Sequence, residues 1–163
     1  MSNTFFMLVG LPGSGKTTIS KYLEQEGVFR VSSDDYRKIF SPFKDDHEFI
    51  FSVMNYTSLQ ALKKRNVVYD STNLSIINRK NTYEYVKEYD SKSKVVIICL
   101  DYGAEFAKKI VKKRPERTDV TDNLIDYLNS YYEKPIVGID CDVLINLPLS
   151  HRNKVMNRIK DYI

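Results

Sequence analysis

Cysteine is scarce. Cys99 and Cys141 are the only two in 163 residues, and each lies inside an apolar run. A disulfide framework is excluded, and the pair reads as small core residues of a reduced, intracellular protein. Long hydrophobic runs are missing too. No stretch approaches the roughly 20 apolar residues that cross a bilayer. Met1-Ser2-Asn3 supplies no charged segment ahead of a leader. The expectation is a soluble, cytoplasmic protein with no membrane partner. There is no internal repeat, no low-complexity block and no linker, so residues 1–163 read as one domain. What is present suits a globular chain: 42% hydrophobic residues and a net charge of +4. The mild positive excess suits a polyanionic partner.

Against that background one stretch stands out. Gly10-Leu11-Pro12-Gly13-Ser14-Gly15-Lys16-Thr17 matches the phosphate-loop pattern G-x-x-x-x-G-K-[ST] in full. Its glycines let successive backbone N–H groups turn into one concavity that binds phosphate oxygens. Lys16 reaches terminal phosphates, and the Thr17 hydroxyl is a ligand for Mg²⁺. The helix that follows, from Thr18, adds the positive end of its dipole. The apolar run Thr4 to Val9 before the loop reads as a buried strand. ATP or another nucleoside triphosphate, with Mg²⁺, is the expected ligand. The loop set is Gly10, Pro12, Gly13, Ser14, Gly15, Lys16, Thr17 and Thr18. The guanine-reading motif N-K-x-D is absent, which weighs against a GTPase-like switch.

Strand-like and helix-like runs alternate along the chain, as in a parallel sheet covered by helices on both faces. Strands are expected at Thr4–Val9, Val28–Ser32, Asn66–Tyr69, Lys94–Leu100 and Asp142–Leu147. Helices are expected over 18–24, 36–40, 47–64, 76–89 with Ser75 as N-cap, 105–113, 122–132 and 152–162. The fold class is α/β with a five-stranded parallel sheet. Ligands of open α/β sheets sit beyond the carboxyl ends of the strands. Asp34 and Asp35 follow the second strand, Asp70 the third and Asp101 the fourth. Asp101, ahead of Tyr102-Gly103, reads as a turn residue. Asp34 stands in Ser33-Asp34-Asp35-Tyr36-Arg37, and Asp70 opens Asp70-Ser71-Thr72-Asn73 with Arg79 downstream. Asp35 reads as a cap of the short helix at Tyr36.

The phosphate loop, the D-D-Y-R segment and the D-x-T-N segment, taken together from Phe5 to about Pro135, resemble the kinase domain of phage polynucleotide 5′-hydroxyl kinases. The wider group of small P-loop kinases, zeta-toxin-like proteins included, is similar. The resemblance implies a three-layer P-loop kinase sandwich with a lid segment, near 112–122. It implies ATP-dependent phosphoryl transfer to the 5′-hydroxyl of DNA or RNA, with Lys16 and Thr17 on phosphate and metal. Asp34 is then the general base and a metal-side carboxylate. Arg37 holds the acceptor's adjacent phosphate. Asp70, with Asn73 and Arg79, organises the metal and acceptor side. A small-molecule acceptor, such as a nucleoside, nucleotide or sugar, is the rival reading, and a non-catalytic nucleotide module a further one. Monomer and dimer both stay open.

Lys108, Lys109, Lys112, Lys113, Arg114 and Arg117 fall within ten positions. Such a run is ordinarily a solvated helix face. In P-loop kinases it becomes a lid whose arginines stabilise the transferred phosphoryl group, which makes Arg114 and Arg117 catalytic candidates. The family pattern has Val-Pro beyond its arginine, where this chain has Val120-Thr121. Ile139-Asp140-Cys141-Asp142 is similar to the opening of the phosphatase domain found in such kinases. Val143-Leu144 replaces its threonine, and the segment reads as a turn into the fifth strand.

Overall fold

Alternation along β1 (Thr4–Val9) decides the architecture. Phe5, Met7 and Val9 point to one face of the sheet, and Phe6 and Leu8 to the other, and all five are buried. A strand apolar on both faces needs helices on both. The computed structural model, which describes residues 2–150 and 152–163, supplies them. Met1 and His151 lie outside the described residues.

The elements run as the sequence predicts. After β1 come α1 (Lys16–Gln25), β2 (Phe29–Ser32), α2 (Ser33–Ile39), a short 3₁₀ turn (Ser41–Phe43) and α3 (His47–Leu62). Then follow β3 (Val67–Asp70), α4 (Ile76–Tyr89), β4 (Lys94–Cys99), α5 (Ala104–Val111), α6 (Asp122–Ser130), β5 (Val143–Asn146) and α7 (Arg152–Lys160). The five strands form one sheet in the order β2-β3-β1-β4-β5, every pair parallel. Helices α3 and α4 cover one face through Ile50, Met54, Leu59, Leu62 and Val86. Helix α1 and the C-terminal α7 cover the other through Ile19, Leu23 and Ile159. This is the expected three-layer α/β sandwich. A third cluster, Leu11, Leu74, Ala107, Val111, Val120 and Ile125, seats α5 and α6 against the phosphate loop.

Local chemistry sets the helix starts. The side chains of Asp46, Ser75 and Thr121 each accept the N–H three residues on. Helix α2 begins at Ser33, earlier than the periodicity suggests, because the Ser32 hydroxyl accepts the Asp35 N–H at 3.4 Å. Asp34 and Asp35 therefore stand in the first helical turn, and Ser32, not Asp35, is the cap.

Both cysteines are buried and unpaired. Burial, with Asp140 alongside, pushes the Cys141 thiol up to about 12, so it is inert at neutral pH. Among the described residues no helix is long and apolar enough to cross a membrane.

Candidate active site

The phosphate loop leaves β1 and enters α1 through Gly15 in the left-handed region. Two of its glycines have no substitute. A Cβ on Gly10 would lie 2.6 Å from Ser14 Oγ and 2.9 Å from the Leu100 carbonyl oxygen. Gly13 has φ +85° and its Cβ position is 3.0 Å from the Ala107 carbonyl oxygen. The loop is also tied sideways, since the Gly10 N–H donates to Thr72 O at 3.1 Å.

Lys16 folds back into the loop. Its ammonium donates to the Gly10 and Leu11 carbonyls at 2.8 and 2.9 Å and is largely removed from water. Burial brings its pKa down from 10.5 to about 8, while Asp70 and Asp34 pull the other way. Ser14 Oγ is buried without a partner among the described residues. A lysine paired only with carbonyls and an orphaned hydroxyl are the polar groups a phosphate would satisfy.

A groove of about 100 Å³ opens in front of the loop, lined by Lys16, Thr17, Asp34, Asp70, Arg114 and Arg117 among others. Asp34 is exposed in it, 3.6 Å from Arg117 Nη1. Asp70 is buried, and its Oδ2 accepts from the Ser20 hydroxyl at 2.5 Å and from Arg30 Nη2 at 3.2 Å. Two lysines of the basic run are spent elsewhere. Lys108 pairs with Glu105 and Asp126, and Lys112 with Asp122, which fastens α5 to α6. The two arginines beyond them, Arg114 and Arg117, line the groove.

Arg30 is the residue the sequence reading passed over. Its guanidinium spans Asp35, Ser20 and Asp70, with Nε to Ser20 Oγ at 2.8 Å. Asp35 is thus an anchor for the cation that holds Asp70. A charged residue inside the short strand Phe29-Arg30-Val31-Ser32 was the signal available.

Three side chains expected on the substrate side have partners within the protein. Arg79 is fully buried: it pairs with Asp140 at 2.7 Å and donates to the Asn73 and Leu74 carbonyls. It welds the segment after β3 to the turn before β5, and its Nη2 has no partner among the described residues. Asn73, at φ 46°, uses its amide on the Leu8 and Ser71 carbonyls. It pins that segment to β1, with only its Oδ1 left for other contacts. Arg37 donates to the Lys44 carbonyl and to His47 Nδ1, where α2 meets α3, and is not among the groove-lining residues. Asp140 and Asp142 are structural, as a turn into β5 predicts. Asp142 accepts from the Val95 N–H, Tyr83 and Lys87.

Among the described residues no cluster of three or more His, Cys, Asp or Glu side chains could cage a metal. The oxygen donors at the groove fit Mg²⁺ in its usual form, held by a hydroxyl and one or two carboxylates with nucleotide phosphates and water completing the shell. Thr17, Asp34 and Asp70 supply that set among the groove-lining residues.

Solved structures with similar folds include kinases of several kinds. A chain of the Pnkp1/Rnl/Hen1 RNA repair complex is 28% identical over 80% of this chain, with a TM-score of 0.68, and this chain spans 44% of it. A gluconokinase from Sinorhizobium meliloti superposes over 97% of this chain and 92% of its own, at 12% identity and a TM-score of 0.64. The Mycobacterium tuberculosis APS kinase CysC, in complex with AMPPNP and APS, matches over 98% and 96% at 12% identity and a TM-score of 0.65. A search of curated proteins gives no match. The phosphate loop and the five-stranded parallel sheet thus make a P-loop kinase-type fold, and the match of residues 5–135 to the AAA domain family model assigns the chain to that family.

Proposed function

We propose that the protein is an ATP-dependent kinase of 5′-hydroxyl ends of DNA or RNA, acting as a single unit over residues 1–163. One observation carries the reading: Asp34 shares a groove with Lys16, Thr17 and both lid arginines. An exposed carboxylate there can serve a metal, an acceptor hydroxyl or both. A kinase uses it to orient the acceptor hydroxyl and take its proton. The acceptor oxygen bonds to the transferred phosphorus as the bond to the leaving nucleotide oxygen breaks, and the hydroxyl proton passes to the Asp34 carboxylate. Mg²⁺, held by Thr17 with Asp34 and Asp70, would neutralise phosphate charge. Lys16 swings from its carbonyls to the terminal phosphates. Arg117 and Arg114 meet the charge spread over the phosphoryl group in the transition state. Arg30 and Ser20 fix the Asp70 carboxylate in place.

The nucleic-acid acceptor is favoured by the combined D-D-Y-R and D-x-T-N segments and by the 28% identity to a chain of an RNA repair complex. A small-molecule acceptor is favoured by a different observation: Arg37 is occupied by Lys44 and His47 and holds no free fork toward the groove. Incubation with γ-labelled ATP and a panel of 5′-hydroxyl oligonucleotides, nucleosides and sugars decides between them. Label on the oligonucleotides alone supports the proposal, and label on a sugar or nucleoside alone refutes it.

A further inference from the structure

We infer that the cavity beside the phosphate groove, on the β3 side of β1, is a binding pocket for the terminal nucleobase of the acceptor. This rests on the 5′-hydroxyl kinase reading above and deepens it.

The cavity has a volume of about 630 Å³ and lies between α3, α4, α6 and the segment after β3. That is within the roughly 300–1,000 Å³ usual for small-ligand sites. Ser71 and Thr72 line both this cavity and the groove, so an acceptor seated here has its end beside Asp34. None of the lining side chains carries a formal charge. A phosphate or carboxylate group would find no counter-ion inside. An uncharged planar ring would find partners of two kinds.

The first kind is aromatic. Tyr85, Tyr127 and Tyr131 line the cavity and remain about half exposed, at 45%, 59% and 50%. Large rings held this open offer faces for stacking, which every base can use. Tyr127 and Tyr131 brace each other edge to face at 5.0 Å and through their hydroxyls at 3.0 Å. The second kind is amide. Asn55 accepts the Tyr69 hydroxyl at 2.9 Å, and its NH₂ has no partner among the described residues. Asn73 spends its NH₂ on backbone, which leaves its oxygen. The side chains of Asn78 and Asn81 have no partner among the described residues. Complementary donors and acceptors around open aromatic faces suit the hydrogen-bonding edge of a nucleobase.

Two measurements test the assignment: ATP-free calorimetric binding, and steady-state phosphorylation. Both use 5′-hydroxyl oligonucleotides that end in a normal nucleoside or in an abasic residue, with the wild type and with Tyr85→Ala, Tyr127→Ala and Asn81→Ala. These side chains are solvent-facing, so the variants keep the fold, which thermal melting verifies. The wild type is expected to bind the base-bearing end about 5- to 150-fold more tightly than the abasic one. The variants should lose most of that preference while treating abasic ends as the wild type does. Equal binding of both ends by the wild type overturns the inference, and so does a preference that survives in all three variants. A base preference that the variants abolish, without any phosphorylation, upholds the pocket and overturns the kinase proposal. Absence of both binding and phosphorylation overturns the two together.

Discussion

Lys16 sits in a state of tension that pH can read. Without nucleotide its ammonium is buried against two carbonyls, and burial lowers its pKa from 10.5 to about 8. In the unfolded chain the lysine recovers its ordinary value. Below pH 8 both states carry the proton, and folding bears the cost of burying the charge. Between 8 and 10.5 the unfolded chain holds a proton that the folded one has released, so stability must rise with pH through this window. Above 10.5 the rise is complete, at about 3 kcal/mol for a fall of this size at about 1.4 kcal/mol per pH unit. Lys16→Met removes the titration. Urea unfolding of both proteins without nucleotide, from pH 7 to 9.5, should show the wild type gaining about 2 kcal/mol relative to the variant. Other groups that bind protons differently in the folded and unfolded chains over this range, Cys141 among them because burial pushes its folded thiol up to about 12, are common to both and cancel in the difference. A saturating non-hydrolysable nucleotide with Mg²⁺ should flatten the slope, because phosphates keep the ammonium charged. A difference that stays level without nucleotide, or falls as pH rises, refutes the reasoning.

Three further outcomes are expected. Asp34→Asn should fold normally and bind metal-free ATP as the wild type does, while its single-turnover rate falls about 10²-fold or more. Asp35→Asn, which loosens Arg30, should instead show mainly a loss of roughly 1 kcal/mol in urea unfolding, and the reverse pattern would mean that the base is misassigned. Arg114→Ala and Arg117→Ala should lower kcat well beyond any rise in KM for ATP, and pure KM effects in both would make the lid a solvated helix end. Arg79→Ala strands the Asp140 carboxylate in the interior and should cost about 3–5 kcal/mol of stability. A variant of normal stability with a raised acceptor KM would restore Arg79 to the substrate side.

The sequence was readable where one residue's chemistry is fixed by its immediate neighbours. Gly10 to Thr17 announce the loop because glycines, lysine and hydroxyl must fall in that spacing. The strands announce themselves as apolar runs. Boundaries slipped where a cap outweighed periodicity, as when Ser32 started α2 early. Side-chain partners were the illegible part. Arg79 and Asp140 are 61 positions apart, and nothing local shows that they meet. Arg37 follows Asp34 by three positions, yet the Lys44 carbonyl and His47 draw its guanidinium away. Spacing placed the backbone near the groove, whereas long-range contacts decided which side chains face it.

The Arg79–Asp140 pair also sets where the protein can be cut. Similarity to the family ends at Pro135, which invites an expression boundary there. Such a fragment would keep the loop, the lid and Asp34, but it would lose Asp140 and leave the Arg79 guanidinium enclosed without its anion. It would also strip β5 from β4 and bare the edge of a strand whose last five residues are buried in the intact sheet. An open apolar edge recruits other chains. A truncation at the limit of resemblance is therefore expected to aggregate, and one extended through β5 and α7 to stay monodisperse. The smallest working unit is drawn by a counter-ion, not by homology.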